Sequence, residues 1–179
     1  MQSALKSQPR TPFYQFARRL LSVFCVLFFP YRVENPQDFQ LDAPFILIAN
    51  HQSLLDPIIL AVILKKHEIR FIGKRELTKN RILAWIFKRL HMIAVTRHMS
   101  DLSAMRAAAE ALRQGHVLGI FPEGTRRTGK AMETIESGVS FLALRSGAPL
   151  LPVYFCSKPG LLKRTSIVAG AMIPYDDLS

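Results

Sequence analysis

The sequence predicts an α/β domain with a central, mostly parallel sheet flanked by helices, preceded by an N-terminal membrane-associating helical segment. From residue 44 onward, short apolar runs of strand length alternate with stretches of helical periodicity, which is the pattern of parallel sheets with crossover helices. Before residue 40, an apolar run follows a pair of arginines. Because 179 residues are the size of one domain, we expect residues 1–40 to be the membrane-associating segment and residues 41–179 to be a single domain.

The N-terminal segment predicts a helix that lies in a membrane interface. Arg18 and Arg19 precede ten nearly continuous apolar residues from Leu20 to Phe29, and Pro30 ends the run. A helix needs about 20 apolar residues to span a bilayer, so this run is too short. A secretory signal peptide is disfavoured because no small-residue cleavage pattern follows. We expect Phe and Leu to lie at the acyl boundary and arginines at the headgroups; the alternative is a helix packed on the domain's own core.

The strands and helices that follow are predicted from apolar spacing and from residues that end helices. The predicted strands are Phe45 to Ala49, Ile69 to Gly73, Met92 to Thr96, Val117 to Phe121 and Pro149 to Phe155. The predicted helices are Asp56 to Lys65, Asn80 to Leu90, a helix that starts at Ser100 or Asp101, and Ser137 to Arg145. Gly115 and Gly147 stand where left-handed residues would end the last two helices.

The charge of the chain predicts an anionic partner. The formal net charge is +11, and 49% of the residues are hydrophobic. Ten Lys or Arg stand between Lys65 and Arg97 against two acidic residues, and residues 1–32 hold five basic residues and no acidic one. Such a field attracts anionic lipid, phosphorylated substrates or nucleic acid. Nucleic acid is disfavoured because the aromatic residues lie mostly within apolar runs; a basic membrane- or nucleic-acid-binding module remains the non-enzyme alternative.

The cysteines and histidines predict no metal site. Cys25 and Cys156 are the only cysteines, and the five histidines are scattered without an HExxH pattern. These spacings offer neither a disulfide framework nor a zinc ligand set. A GxSxG nucleophile elbow is also absent. We therefore expect no metal and no cofactor.

The first segment that could carry chemistry runs from Asn50 to Asp56, directly after a predicted strand. Ligands and catalytic groups collect at the carboxyl ends of strands in α/β sheets. His51 and Asp56 are five residues apart, so they cannot share one helical face, and a turn must bring them together. Pro57 favours a helix start at this point, which would let the carboxylate reach back to the imidazole. The alternative is that Asp56 is an ordinary N-cap and His51 an ordinary loop histidine.

The second such segment runs from Phe121 to Arg127 and also follows a predicted strand. Gly124 would let the backbone approach a ligand closely, and Arg126 offers a planar bidentate donor for phosphate. A surface turn of proline, glycine and charged residues would look similar.

Together the two segments resemble the glycerolipid acyltransferase family that includes 1-acylglycerol-3-phosphate acyltransferases. The NHxxxxD block of that family is similar to Asn50 to Asp56, and its FPEGTR block to Phe121 to Arg126. Three further blocks stand in the family's order at Gly73 to Leu77, Val95 to Arg97 and Gly147 to Val153. Thr96 stands where the family commonly has an acidic residue, and the chain stops at Ser179 where family members usually continue. We therefore expect a short member or one that lacks a C-terminal portion.

The resemblance implies the reaction and the residues that carry it. It implies transfer of a fatty acyl group from acyl-CoA or acyl-carrier protein to the 2-hydroxyl of 1-acyl-sn-glycerol 3-phosphate, which gives phosphatidic acid. Another lysophospholipid or glycerol 3-phosphate is the alternative acceptor. His51 would be the general base and Asp56 its partner. The implied substrate-binding residues are Lys74, Arg97, Glu123, Gly124, Thr125 and Arg126. The expected location is the cytoplasmic face of the inner (plasma) membrane, with an anionic membrane surface as partner.

Overall fold

The computed structural model describes residues 11–39, 41–42, 44–95, 102–122 and 129–178. The helices are α1 (Pro12–Phe28), α2 (Asp56–Ile63), α3 (Arg81–Arg89), α4 (Leu102–Arg113) and α5 (Gly129–Ser146). The strands are β1 (Tyr31–Glu34), β2 (Ile46–Ala49), β3 (Ile69–Lys74), β4 (Ile93–Val95), β5 (Val117–Ile120), β6 (Leu150–Phe155) and β7 (Thr165–Ala169). Within these ranges a seven-stranded sheet has the order β1-β7-β6-β2-β5-β3-β4. All of its strand pairs are parallel except β6 with β7, which confirms the predicted fold class.

The two faces of the sheet are covered by different helices. Leu47 on β2 packs with Ile59 and Leu60 of α2, whereas its neighbour Ile46 packs with Leu112 of α4 and other residues of the opposite core. Successive side chains of a strand point to opposite faces, so a strand buried on both faces must be apolar at every position. This requirement accounts for the continuous apolar runs that identified the central strands in the sequence.

Parallel strands bring the segment from Asn50 to Asp56 to one edge of the sheet. Strands β2, β3, β4, β5 and β6 all end at this edge, which we call the carboxyl edge. Because β7 is antiparallel to β6, it begins there, and β1 begins there too because it is parallel to β7. The loop after β2, the connection from β6 to β7 and the chain between α1 and β1 therefore meet at the carboxyl edge.

Several predicted boundaries differ from the structure. Helix α5 begins at Gly129, eight residues before the predicted start at Ser137. Ala, Met and Glu in residues 131–133 have high helix propensity, and the prediction underweighted them because the apolar periodicity begins later. Strands β1 and β7 were not predicted. The burial of β1 alternates between partly buried and exposed residues, so it lacks the continuous apolar run of a central strand. Gly115 and Gly147 have positive φ, at 82° and 68°, as predicted for the helix ends.

Helix α1 is fixed to the domain through its first turn and its inner face. The Glu68 carboxylate, 2% exposed, accepts hydrogen bonds from the backbone N–H of Thr11 at 2.9 Å and from its hydroxyl at 3.2 Å. It also contacts Nδ1 of His91 at 2.7 Å. The Tyr14 hydroxyl accepts a hydrogen bond from the backbone N–H of Ile69. The inner face of α1 thus packs on the core, as the alternative proposed.

The outer face of α1 is apolar and exposed. Its exposed large hydrophobic residues are Phe16, Leu20, Val23, Phe24, Val26, Leu27 and Phe28. A large apolar patch of this kind marks an interaction surface in soluble proteins. None of the helices in the described ranges combines the length and apolar character that crossing a bilayer requires.

Strand β5 is expected to tolerate no side chain at Gly119. A Cβ added there would lie 2.5 Å from Cε1 of Phe71 and 2.9 Å from Cγ2 of Ile69. Overpacking of a core costs about 1–3 kcal/mol, so Gly119→Ala should lower the free energy of unfolding by that amount in urea titrations. The matched control is Gly160→Ala, whose added Cβ has its nearest neighbour at 3.5 Å. Equal stability of the two variants would contradict the predicted crowding around β5.

Candidate active site

The loop that joins β2 to α2 holds His51 and Asp56 in contact. Nδ1 of His51 lies 3.0 Å from Oδ2 of Asp56, the first residue of α2. The Asp56 side chain is fully buried, whereas 33% of the His51 side chain is exposed. A buried carboxylate therefore holds one side of the imidazole while the ring keeps access to solvent. This arrangement suits a general base that must meet a substrate.

A tight turn brings the two side chains together despite their spacing of five. The backbone N–H of Asp56 donates to the carbonyl of Ser53 at 3.0 Å, which closes the turn before α2. Oδ2 of Asp56 also accepts from the backbone N–H groups of Gln52 at 2.6 Å and Ser53 at 2.7 Å. One carboxylate oxygen thus fixes the fold of the loop and the orientation of His51. The N–H groups of Gln52 and Ser53 are used by Asp56, so they are not free to stabilise an oxyanion.

Two amide side chains fasten this loop to the end of β6. The Asn50 amide donates to the carbonyl of Phe155 at 3.1 Å and accepts from its backbone N–H at 2.8 Å. The Gln52 amide donates to the same carbonyl at 2.8 Å. The residues on both sides of His51 are therefore tied to the neighbouring strand. Gln52 was not predicted as a site residue, because its only signal in the sequence is a polar side chain inside the NHxxxxD block.

Aromatic rings pack against the imidazole from the β5 side. The Phe121 ring lies 4.6 Å from the His51 ring between centroids, and the Phe71 ring stacks on Phe121 at 5.8 Å. Phe121 is the first residue of the FPEGTR segment. Its contact with His51 could not be predicted from the sequence, because the two residues meet only through the adjacent ends of β2 and β5.

The other predicted site residues are only partly described. Lys74 is the last residue of β3 and is exposed at the carboxyl edge. Arg97, Glu123, Gly124, Thr125 and Arg126 lie outside the described residues. Within the described ranges, no group of three or more His, Cys, Asp or Glu side chains is arranged to hold a metal ion.

Cys25 is not positioned like an activated nucleophile. Cys25 is fully buried in α1, and this burial raises the pKa of its thiol. A thiol with a raised pKa is almost wholly protonated at neutral pH and is a weak nucleophile. Cys156 is exposed in the chain that follows β6. His51 with Asp56 is thus the catalytic pair that the geometry favours.

Comparison with known proteins identifies the family. Residues 30–156 match the acyltransferase family model. The chain belongs to the acyltransferase family. The match confirms the family resemblance read from the NHxxxxD and FPEGTR segments, and with it the enzyme class.

Relatives of this acyltransferase are known as 1-acyl-sn-glycerol-3-phosphate acyltransferases. It is 28% identical over 142 residues to the 1-acyl-sn-glycerol-3-phosphate acyltransferase of Bacillus subtilis, covering 79% of this chain and 70% of the relative. It is 25% identical over 139 residues to the enzyme of the same name from Streptococcus pneumoniae, of which it spans 51%. The crystal structure of the 1-acyl-sn-glycerophosphate (LPA) acyltransferase PlsC from Thermotoga maritima superposes with a TM-score of 0.66 at 25% identity, covering 92% of this chain and 68% of that one.

Removing the charge of Asp56 should disable this acyltransferase. The Asp56→Asn amide is neutral and cannot offset the charge of a protonated His51, so we expect kcat to fall by about 10²-fold or more. Steady-state acyl transfer measures the change, and far-UV circular dichroism verifies the fold. The matched control is Asp177→Asn, at an exposed aspartate of the last 3-10 turn, which should keep full activity. A near-normal kcat for Asp56→Asn would exclude its role as the partner of His51.

Proposed function

We propose that this protein transfers a fatty acyl group from acyl-CoA or acyl-carrier protein to the 2-hydroxyl of 1-acyl-sn-glycerol 3-phosphate, which yields phosphatidic acid. The single observation that carries the proposal is the 3.0 Å contact between Nδ1 of His51 and the buried Asp56 carboxylate at the carboxyl edge. An alcohol needs such a base because it is a poor nucleophile at neutral pH. The acceptor is supported by similarity to 1-acyl-sn-glycerol-3-phosphate acyltransferases.

The proposed reaction is a direct transfer. His51 donates its Nδ1–H to Asp56, so its Nε2 carries the lone pair that removes the hydroxyl proton. The hydroxyl oxygen bonds to the thioester carbon, and the carbon–sulfur bond then breaks. The thiolate leaves and takes up the proton from the imidazolium, which Asp56 has stabilised in the meantime. Both protons and electrons balance without an acyl-enzyme intermediate.

The acceptor phosphate requires cations that hold it while its hydroxyl reaches His51. We propose Lys74, Arg97 and Arg126 for this role. Lys74 is supported by its exposed position at the end of β3, a strand that ends at the same edge as β2. Glu123, Gly124 and Thr125 are proposed to shape the loop around the phosphate.

A membrane surface is proposed as the site of action. Its support is the exposed apolar face of α1, which carries the exposed Arg19 as well, in a chain of net charge +11. Apolar residues beside cations are typical of helices that lie in an anionic interface. We propose that the segment of residues 1–40 holds the domain of residues 41–179 at the cytoplasmic face of the inner (plasma) membrane, where it would meet both substrates.

Loss of His51 should abolish the reaction with every acceptor. His51→Ala is expected to lower kcat by at least about 10²-fold, the low end for a lost general base. Release of free thiol from acyl-CoA is measured with lysophosphatidate, with glycerol 3-phosphate, with another lysophospholipid and without acceptor. Release by the unchanged protein that depends on lysophosphatidate supports the proposal. A preference for another acceptor would contradict the proposal that lysophosphatidate is the substrate. Near-normal thiol release by His51→Ala would contradict the proposal that His51 is the general base.

Arg126 should matter for the acceptor more than for the donor. Arg126→Ala removes a charge-assisted bidentate contact, so the KM for lysophosphatidate should rise by about tenfold or more while the KM for acyl-CoA changes little. The matched control is Arg127→Ala, the next residue and one outside the six-residue FPEGTR segment. Equal increases in both KM values would indicate a structural role for Arg126.

A further inference from the structure

The connection between β6 and β7 ends in an exposed apolar turn. The backbone N–H of Lys163 donates to the carbonyl of Gly160 at 3.0 Å, which closes a turn with Leu161 and Leu162 at its tip. These leucines are 62% and 71% exposed. Leu162 has a φ of 56°, a left-handed conformation that is rare for a bulky residue and easy for glycine. Two exposed leucines at this tip therefore lower the stability and solubility of the domain, and they do not pack in its core.

This turn is fixed beside the C-terminal end of α1. The backbone N–H of Leu162 donates to the carbonyl of Phe28 at 2.7 Å, and that of Thr165 donates to the carbonyl of Pro30 at 3.1 Å. Phe28 is the last residue of α1 and is exposed, as is Leu27 before it. The apolar tip of the turn and the apolar end of α1 are thus neighbours joined by backbone hydrogen bonds.

The surroundings of the turn are positively charged. Lys158, Lys163 and Arg164 are exposed within the connection, and Arg32 is exposed on β1. The sequence has no acidic residue from position 137 to position 175. The surface of an anionic bilayer has acyl chains below a layer of phosphates. The two leucines suit the acyl chains, and the cations beside them suit the phosphates.

The turn also belongs to the catalytic edge. It begins at Gly160, five residues after Phe155, whose carbonyl accepts hydrogen bonds from Asn50 and Gln52 on either side of His51. A bilayer bound by the turn would therefore lie along the edge where His51 is exposed. A lysolipid could then present its hydroxyl from the membrane without leaving it.

We propose that the β6–β7 turn is a second membrane-contact element, in which Leu161 and Leu162 enter the acyl boundary of an anionic bilayer and Lys163 and Arg164 bind lipid phosphates. The inference rests on the proposed function for its lipid substrate. With the end of α1, the turn makes a two-part contact that orients the carboxyl edge toward the membrane. A single helix could rotate about its axis on the surface, whereas two separate contacts fix one orientation.

The first test measures partitioning onto vesicles. Leu162→Gly removes an apolar side chain and suits the left-handed backbone, so the variant should unfold at an equal or higher temperature. Its partition coefficient onto vesicles of phosphatidylglycerol and phosphatidylcholine should nevertheless fall several-fold, and that of Leu161→Gln/Leu162→Gln by about tenfold or more. Lys163→Ala/Arg164→Ala should reduce binding to these vesicles by about tenfold and binding to pure phosphatidylcholine hardly at all.

The matched control is Leu144→Gln, which changes a leucine of α5 that is 46% exposed on the opposite face of the sheet. It should leave partitioning within about twofold of the unchanged protein. Equal losses for Leu144→Gln and the turn variants would overturn the proposal, because binding would then reflect total exposed apolar surface. Unchanged partitioning of the turn variants would overturn it as well. So would a change in oligomeric state without a change in vesicle binding, since the turn would then contact a second copy of the chain.

A second test reads the environment of the connection that carries the turn. Cys156 is exposed at the start of the connection while Cys25 is buried, so a polarity-sensitive fluorophore can be attached to Cys156 alone. Its emission should shift to the blue when anionic vesicles are added. Emission that stays at its aqueous wavelength while the protein sediments with the vesicles would show that the connection between β6 and β7 remains in water, and would overturn the proposal.

Activity separates this inference from the proposed function. On a short-chain, monomeric lysophosphatidate without vesicles, the turn variants should retain the rate of the unchanged protein. On lysophosphatidate embedded in vesicles, their rate should fall in parallel with their partitioning. Failure of every variant and of the unchanged protein to use either acceptor would refute the proposed function, whereas vesicle binding would still report on the turn.

Discussion

The fold of the active-site loop depends on one buried carboxylate. Oδ2 of Asp56 accepts hydrogen bonds from the backbone of Gln52 and Ser53 and contacts the His51 ring. Its other oxygen is buried without a hydrogen-bond partner among the described residues. A buried charge is tolerated only when donors surround it, so the three donors at Oδ2 fix the loop. The contact between His51 and Asp56 and the start of α2 therefore have the same cause.

The sheet brings residues from neighbouring strands to this loop. Adjacent parallel strands end at one edge, so Asn50 and Gln52 reach the backbone of Phe155 while the Phe121 ring covers the imidazole. The one antiparallel pair, β6 with β7, returns the chain to the same edge, next to the end of α1. The exposed apolar surfaces at the end of α1 and in the β6–β7 turn thus lie at the same edge of the sheet as His51.

An element of this fold is predictable from the sequence where one physical requirement dominates its segment. Strands β2 and β5 are buried on both faces, and their continuous apolar residues identified them. The prediction wrongly left residues 129–136 out of α5. These residues favour a helix through their helix propensity and show no apolar periodicity. Strand β1 was missed because its partner β7 lies more than 130 residues away in sequence, and a half-buried edge strand depends on that pairing.

The sequence by itself determined the fold class, the family and the pair His51 and Asp56, because apolar periodicity and two short motifs are local properties of the chain. Only the tertiary structure decided the contacts between distant residues. Asn50 and Gln52 bond to Phe155, Phe121 packs on His51, and the turn at Leu161 and Leu162 bonds to the end of α1. These contacts join residues up to 134 positions apart. Such pairs become neighbours only when strand order and direction are set, and no local pattern of residues encodes that order.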